Sequence, residues 1–169
     1  MLKAIIHHKP TRLFILLGGF FITNAIVAEF IGVKIFSLES TLGWKPAEIS
    51  LFGDKYSFNL TCGVLLWPVV FVMTDLINEY YGIKGVRFLS WMTIGLICFG
   101  FLMVFGAMKT VPNEWWITSK KETGVENMSF AYNAIFGQGL GIIFASMTAF
   151  LVAQIVDVMV FHRIKKSTG

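Results

Sequence analysis

Four carboxylates stand inside long apolar runs, where a charge needs a reason to be: Glu29, Asp75, Glu79 and Asp157. At a bilayer centre such a group costs about 2.5–3.5 kcal/mol on insertion scales, so it usually faces a cavity or a partner. Asp75 and Glu79 are four apart and share one helical face, with Asn78 beside them and Thr74 and Trp67 close to the same stripe. Pro68 would loosen the helix between them. Gln154 and Asp157 are three apart, and Ser146 and Gln138 continue along that side. Asn24, mid-run, would need a partner, either an interhelical hydrogen bond or a ligand. Carboxylates and amides so placed can recognise the donors and acceptors of a small molecule, or carry a proton. A plainer reading stands beside this one. Glu79 and Asp157 lie near helix ends where a carboxylate reaches water, and Glu29 is close to Lys34.

The elements that must position these groups follow from composition. The chain has 169 residues, 56% of them hydrophobic and 14% charged, with 17 Phe and 8 Met. Soluble domains have about 25% charged residues, so too little polar surface is left here to cover a globule in water. A spanning helix takes about 20 mostly apolar residues, and four segments qualify: about 13–36, 58–81, 88–108 and 132–161. None shows the two-residue alternation of a barrel strand. The expectation is an all-α integral membrane protein, a helical bundle with four transmembrane helices forming one transmembrane domain over 1–169. The first run exceeds the length of a signal h-region and ends without a small-x-small site, so it is expected to be retained.

The net charge of +4 does not point to nucleic acid, because the basic residues fall between apolar runs. Lys3, Lys9 and Arg12, then Lys84 and Arg87 in a turn over 82–87, then Arg163, Lys165 and Lys166, stand in stretches free of acids. The other six lysines lie on or beside two long loops, 37–57 and 109–131, balanced by acids there. The positive-inside rule puts both termini and the turn in the cytoplasm and the long loops outside. Gly43, Pro46 and Gly53 are turn makers in the first loop; Trp115 and Trp116 read as an interfacial anchor in the second. Gly137, Gly141, Ala145, Ala149 and Ala153 form a small-residue ladder on which a neighbouring helix could pack closely.

Some chemistry is missing from the sequence. No His, Cys and acid spacing suits a metal, and no phosphate-cradling glycine loop or nucleophile motif is present. Cys62 and Cys98 read as small core residues. No cofactor is expected, and an enzyme is disfavoured.

Three stretches resemble the queuosine precursor transporter family, also filed as putative vitamin uptake transporters. They are Thr23-Asn24, then Thr74-Asp75-Leu76-Ile77-Asn78-Glu79-Tyr80-Tyr81-Gly82 with the basic turn ending at Arg87, then Ala145 to Phe150 with Gln154, Asp157 and Phe161. The resemblance implies a bacterial inner-membrane importer of 7-cyano-7-deazaguanine or 7-aminomethyl-7-deazaguanine for queuosine salvage into tRNA. It implies six helices, two of them beyond the basic tail, so that this sequence would be a piece of the longer pattern. A deazaguanine offers adjacent N–H donors that a carboxylate accepts as a pair. Asp75 or Asp157 would then read the base edge, with Asn24, Asn78 and Gln154 as polar contacts. Trp67 or Phe71 would stack on the ring for about 1–3 kcal/mol, and Glu79 could carry a coupling proton. The partners implied are the deazapurine and the lipid bilayer, and a homo-oligomer is left open. The competing reading is a substrate-binding membrane subunit that needs an energising partner.

Overall fold

A computed structural model describes residues 7–137 and 140–168. Within it the chain divides into two compact units, Met1–Leu76 and Ile77–Gly169.

In the first unit, α1 (Lys9–Ile31) carries Pro10 in its first turn, where a missing N–H is no loss. Its buried positions, Gly18, Phe21, Asn24, Ala25 and Ala28, recur every three or four residues and so mark one face. The helix closes at Gly32, whose N–H donates to the Ala28 carbonyl. It therefore ends before the expected Phe36 and leaves Lys34 outside. Val33, Ile35 and Phe36 are β-branched or aromatic and favour a pleated strand. Ile35–Ser37 is indeed strand β1.

The segment expected as an irregular loop is built of short paired pieces. β1 runs antiparallel to β4 (Asn59–Thr61), with Ile35 opposite Thr61 and Ser37 opposite Asn59. Between them lie α2 (Leu38–Thr41), capped by the Ser37 hydroxyl, and a hairpin of β2 (Ile49–Leu51) and β3 (Asp54–Tyr56). The hairpin turns through Phe52 and Gly53, both at positive φ (55° and 95°), the hand that matches strand twist. Asn59–Thr61, where the second span was expected to begin, is β4 itself.

Glu39 ties this region together. Only 4% exposed, its carboxylate accepts from the backbone N–H of Phe58 at 2.8 Å and of Ala47 at 3.3 Å, and from the Ser37 hydroxyl at 3.2 Å. The Phe58 N–H, with lesser help from its own N–H and from Ala47 and Ser37, holds this carboxyl below its ordinary pKa. From sequence it looked like one more loop charge.

A 3-10 turn over Cys62–Leu66 follows and packs on the end of α1. A Cβ at Gly63 would stand 2.5 Å from the Ala28 carbonyl oxygen and 3.5 Å from the Gly32 Cα. Backbone meets backbone there, and only glycine fits. The long helix α3 (Trp67–Met108) comes next. At Gly82 the backbone leaves helical space (φ 67°, ψ −177°), a region open essentially to glycine. Gly82 thus separates helical segments 67–81 and 83–108. The turn expected over 82–87 is this one residue, because Ile83 to Arg87 are all compatible with a helix except Gly85 and resume it at once.

In the second unit, Val86, Leu89, Ser90, Thr93 and Ile97 form the buried stripe of α3. Short α4 (Glu114–Thr118) is capped by Asn113, and α5 (Met128–Phe136) by Asn127. Trp116 meets Tyr132 edge-on at 6.3 Å, and Tyr132 lies 4.9 Å from Phe136. α6 (Leu140–Thr168) completes the described chain. The single run expected over 132–161 is therefore interrupted, since α5 ends at Gly137. Of the small-residue ladder, Ala145 and Ala149 are exposed and Ala153 is half-buried, while α6 buries Phe150 and Gln154. Cys98, expected in the core, is exposed with its Sγ 3.5 Å from the Met147 sulfur.

Among the described residues, Lys9–Ile31, Cys62–Met108 and Ala145–Ser167 are long and apolar enough to cross a membrane. The helical membrane character expected from composition is what the structure has; a count of four crossings is not read directly from these three stretches.

Two outcomes test these local accounts. Gly63→Ala should lower the unfolding midpoint in detergent, by an amount typical of overpacking, about 1–3 kcal/mol. Gly19→Ala, where an added Cβ meets nothing within 4 Å, should be neutral or stabilising by up to about 1 kcal/mol. Equal effects would refute the close approach. For Glu39, a lowered folded pKa means stability that is present at neutral pH and lost as pH falls through that value. The Phe58 amide should then lose exchange protection below the ordinary carboxylate range, ahead of helix amides such as those of α1. Unchanged protection in acid would contradict this.

Candidate functional site

In the second unit, two helical faces meet along a groove of about 580 Å3. One wall is Ile83, Val86, Arg87, Ser90 and Trp91 of α3. Their spacing is i, i+3, i+4, i+7, i+8, a single helical stripe. The other wall is Leu151, Gln154, Ile155, Val158, Met159 and His162 of α6, which repeats the same spacing and adds one more turn. Gln154 is the one residue expected at a binding site that lines this groove. Its side chain is 3% exposed.

Asn78 is also 3% exposed, and neither its Oδ1 nor its Nδ2 has a hydrogen-bond partner among the described residues. The Ser90 hydroxyl on the groove wall is likewise buried without one. A buried amide left unsatisfied costs roughly 1–3 kcal/mol, so Asn78 is an expensive residue for this helix to keep.

Glu79 is already engaged. Lys165 near the end of α6 donates to its Oε2 at 2.6 Å, with both side chains about half exposed (52% and 53%). Such a pair is worth about 0–1 kcal/mol, but it joins segment 77–81 to the basic end of α6 and neutralises a carboxylate. The same ammonium lies 5.9 Å from the Phe161 ring. Asp157 is half-buried on α6 and is not part of the groove wall.

The other expected residues belong to the first unit. Asn24 donates from Nδ2 to the Phe20 carbonyl of its own helix at 2.8 Å, so the bond seen is intrahelical and not the interhelical one weighed from sequence. Trp67, half-buried, is tilted against Phe71 with ring centroids 5.8 Å apart. Asp75 is exposed. Ser146 on α6 is half-buried, and Gln138 lies outside the described residues. Thus Asn78, Glu79, Gln154 and Asp157 share one unit, and Asn24, Trp67 and Asp75 the other.

Ser90, Trp91 and His162 were missed from sequence, and Arg87 was read as an orientation charge closing a basic turn. The signal was present: the 83/86/87/90/91 stripe is helical only once the turn shrinks to Gly82. Among the described residues no three of His, Cys, Asp and Glu converge on a point that could hold a metal ion.

Residues 61–169 match the family model described as putative vitamin uptake transporter. A Haemophilus influenzae protein named "Probable queuosine precursor transporter" is 29% identical over 127 residues, covering 72% of this chain and 48% of that protein. The chain thus aligns with about half the length of this relative. No solved structure matches.

The Asn78 amide gives a direct check on stability. Asn78→Leu removes an unpartnered buried amide and should leave the unfolding midpoint in detergent unchanged or raise it, by up to about 1–3 kcal/mol. A clear fall in stability would mean that the Asn78 amide holds the fold together and is not left unsatisfied.

Proposed function

The chain belongs to the putative vitamin uptake transporter family, and from that premise we propose that it takes part in importing queuosine precursors across the inner membrane. The substrates proposed are 7-cyano-7-deazaguanine and 7-aminomethyl-7-deazaguanine, released unaltered for queuosine synthesis in tRNA. The name carried by the Haemophilus influenzae relative supports the substrate class.

The observation that carries the reading is the Asn78 amide, buried and without a partner among the described residues. A flat base with alternating donors and acceptors satisfies an amide through two bonds at once. Gln154 supplies a second buried amide. A carboxylate, Asp75 or Asp157, accepts the paired N–H donors of the guanine edge. Trp67 is the proposed stacking surface and Asn24 a further polar contact. The pairing of Glu79 with Lys165 suits a carboxylate that exchanges a proton or a partner during a cycle.

The same reading gives four crossings. As one straight helix, the 47 residues of Cys62–Met108 would rise roughly 70 Å, more than twice the about 30 Å hydrocarbon core. We take 62–81 and 83–108 as two spans joined at Gly82. Both termini and the Gly82 turn are then cytoplasmic, in keeping with the positive-inside rule, and residues 1–169 form one transmembrane domain.

The test is the queuosine content of tRNA in a bacterium that neither makes nor imports the precursor, fed low 7-cyano-7-deazaguanine. Expression of this chain, or of a form extended by the two helices of the family pattern, should restore queuosine. Asn78→Leu should abolish the gain while inserting normally, and Asp75→Asn or Asp157→Asn should reduce it at least tenfold, the loss of about 1.4 kcal/mol or more of recognition. Ligand that is bound by purified protein but not moved into liposomes would favour the substrate-binding subunit. Failure of both forms to restore queuosine despite verified insertion would overturn the substrate assignment.

A further inference from the structure

The groove of the second unit has a chemistry different from that of the Asn78 amide. Six of its eleven lining residues are aliphatic or Met, and one is Trp91. A polar base would find few partners along such walls, whereas an acyl chain needs none. The polar exceptions include two nitrogen-rich groups, Arg87 and His162. Both belong to the basic ends of their helices, near Lys84, Arg163 and Lys166 in sequence. Arg87 has no carboxylate partner among the described residues, whereas the nearby Lys165 is engaged by Glu79. An apolar slot between two membrane helices, with an unmatched guanidinium on its wall, is complementary to one occupant in particular.

We propose that this groove binds an anionic phospholipid. The phosphate is held by the Arg87 guanidinium, whose paired N–H donors fit two phosphate oxygens, and His162 donates beside it. One acyl chain lies along Val86, Ile155, Val158 and Met159, and Trp91 takes the interfacial position that indole favours. The apolar walls select a lipid over a soluble phosphate, and the arginine selects an anionic headgroup over a zwitterionic one. The proposal is independent of the transport reading, because its residues other than Gln154 are not among those assigned to the substrate, and its test involves no uptake.

The full chain, purified in a mild non-ionic detergent, would be titrated with phosphatidylglycerol, with phosphatidylcholine of the same chains, and with inorganic phosphate. Retained lipid would be counted by native mass spectrometry. Phosphatidylglycerol should be held one per chain and roughly fivefold more tightly than phosphatidylcholine. Arg87→Gln should erase that preference, and Val158→Trp, by filling the groove, should release both lipids. Should Val158→Trp not fold, Arg87→Gln alone decides, since its side chain is exposed. Inorganic phosphate should not displace the lipid. Equal retention of the two lipids by the unaltered chain, an unchanged preference in Arg87→Gln, or displacement by phosphate would each overturn the proposal. Retention of neither lipid would also overturn it and point to a protein segment in the groove.

Discussion

A polar side chain placed among apolar helices must find a hydrogen-bond partner, because hydrocarbon offers none. Several polar groups among the described residues meet that demand locally. The Thr23, Thr74 and Thr93 hydroxyls donate to carbonyls one turn back on their own helices, at 2.8, 3.0 and 2.8 Å. Asn24 does the same with its amide. Glu79 takes Lys165, and Glu39, outside the spans, takes two backbone amides and a hydroxyl. Against that regularity Asn78 and the Ser90 hydroxyl are exceptions, which is why they direct attention more sharply than the carboxylates do. Polarity alone does not mark a site; polarity that the fold leaves unanswered does.

The second constraint is steric, and glycine meets it at two places of different kind. At Gly63 the 3-10 turn lies on the α1 backbone so closely that a methyl group has no room. This contact lets the chain re-enter a helix directly after the β1–β4 ladder. At Gly82 an added Cβ would meet nothing within 4 Å, and what matters is a backbone angle that a side chain would oppose. One glycine allows contact and the other allows a change of direction. Gly63 sets where the polar stripe begins along the chain. Gly82 ends it immediately after Tyr81, so that Arg87 falls on a new helix.

These distinctions explain what the sequence did and did not reveal. Membrane helices were legible because burial in lipid writes itself into composition over 20 residues, and no tertiary detail is needed. The motif residues Asn78, Gln154 and Asp157 were legible because polar residues are rare there. The ladder of Ile35–Ser37 with Asn59–Thr61 was not, because strands of three residues owe their existence to a partner over twenty residues away and to the Glu39 knot. A carboxylate in a mixed-charge loop gives no sign that it will be buried. Ala145 and Ala149 lie on an exposed face, since small residues permit close packing but do not require it. The groove was hidden by a single residue, Gly82. Reading 82–87 as a turn removed Ile83, Val86 and Arg87 from the helix on which their spacing acquires meaning.

The two polar features of the second unit finally differ in what each asks of a ligand. Asn78 offers a donor and an acceptor side by side in a buried setting, where a hydrogen bond is stronger than in water. A ligand that answers it must be small, flat enough to enter, and polar along one edge. The groove offers length, apolar walls and a positive charge near its basic end. A ligand that answers it must be long and greasy, with charge confined to one end. No single molecule of either kind satisfies both. The two features thus ask for different ligands, and Gln154, buried on the groove wall, is the one expected site residue that the groove shares.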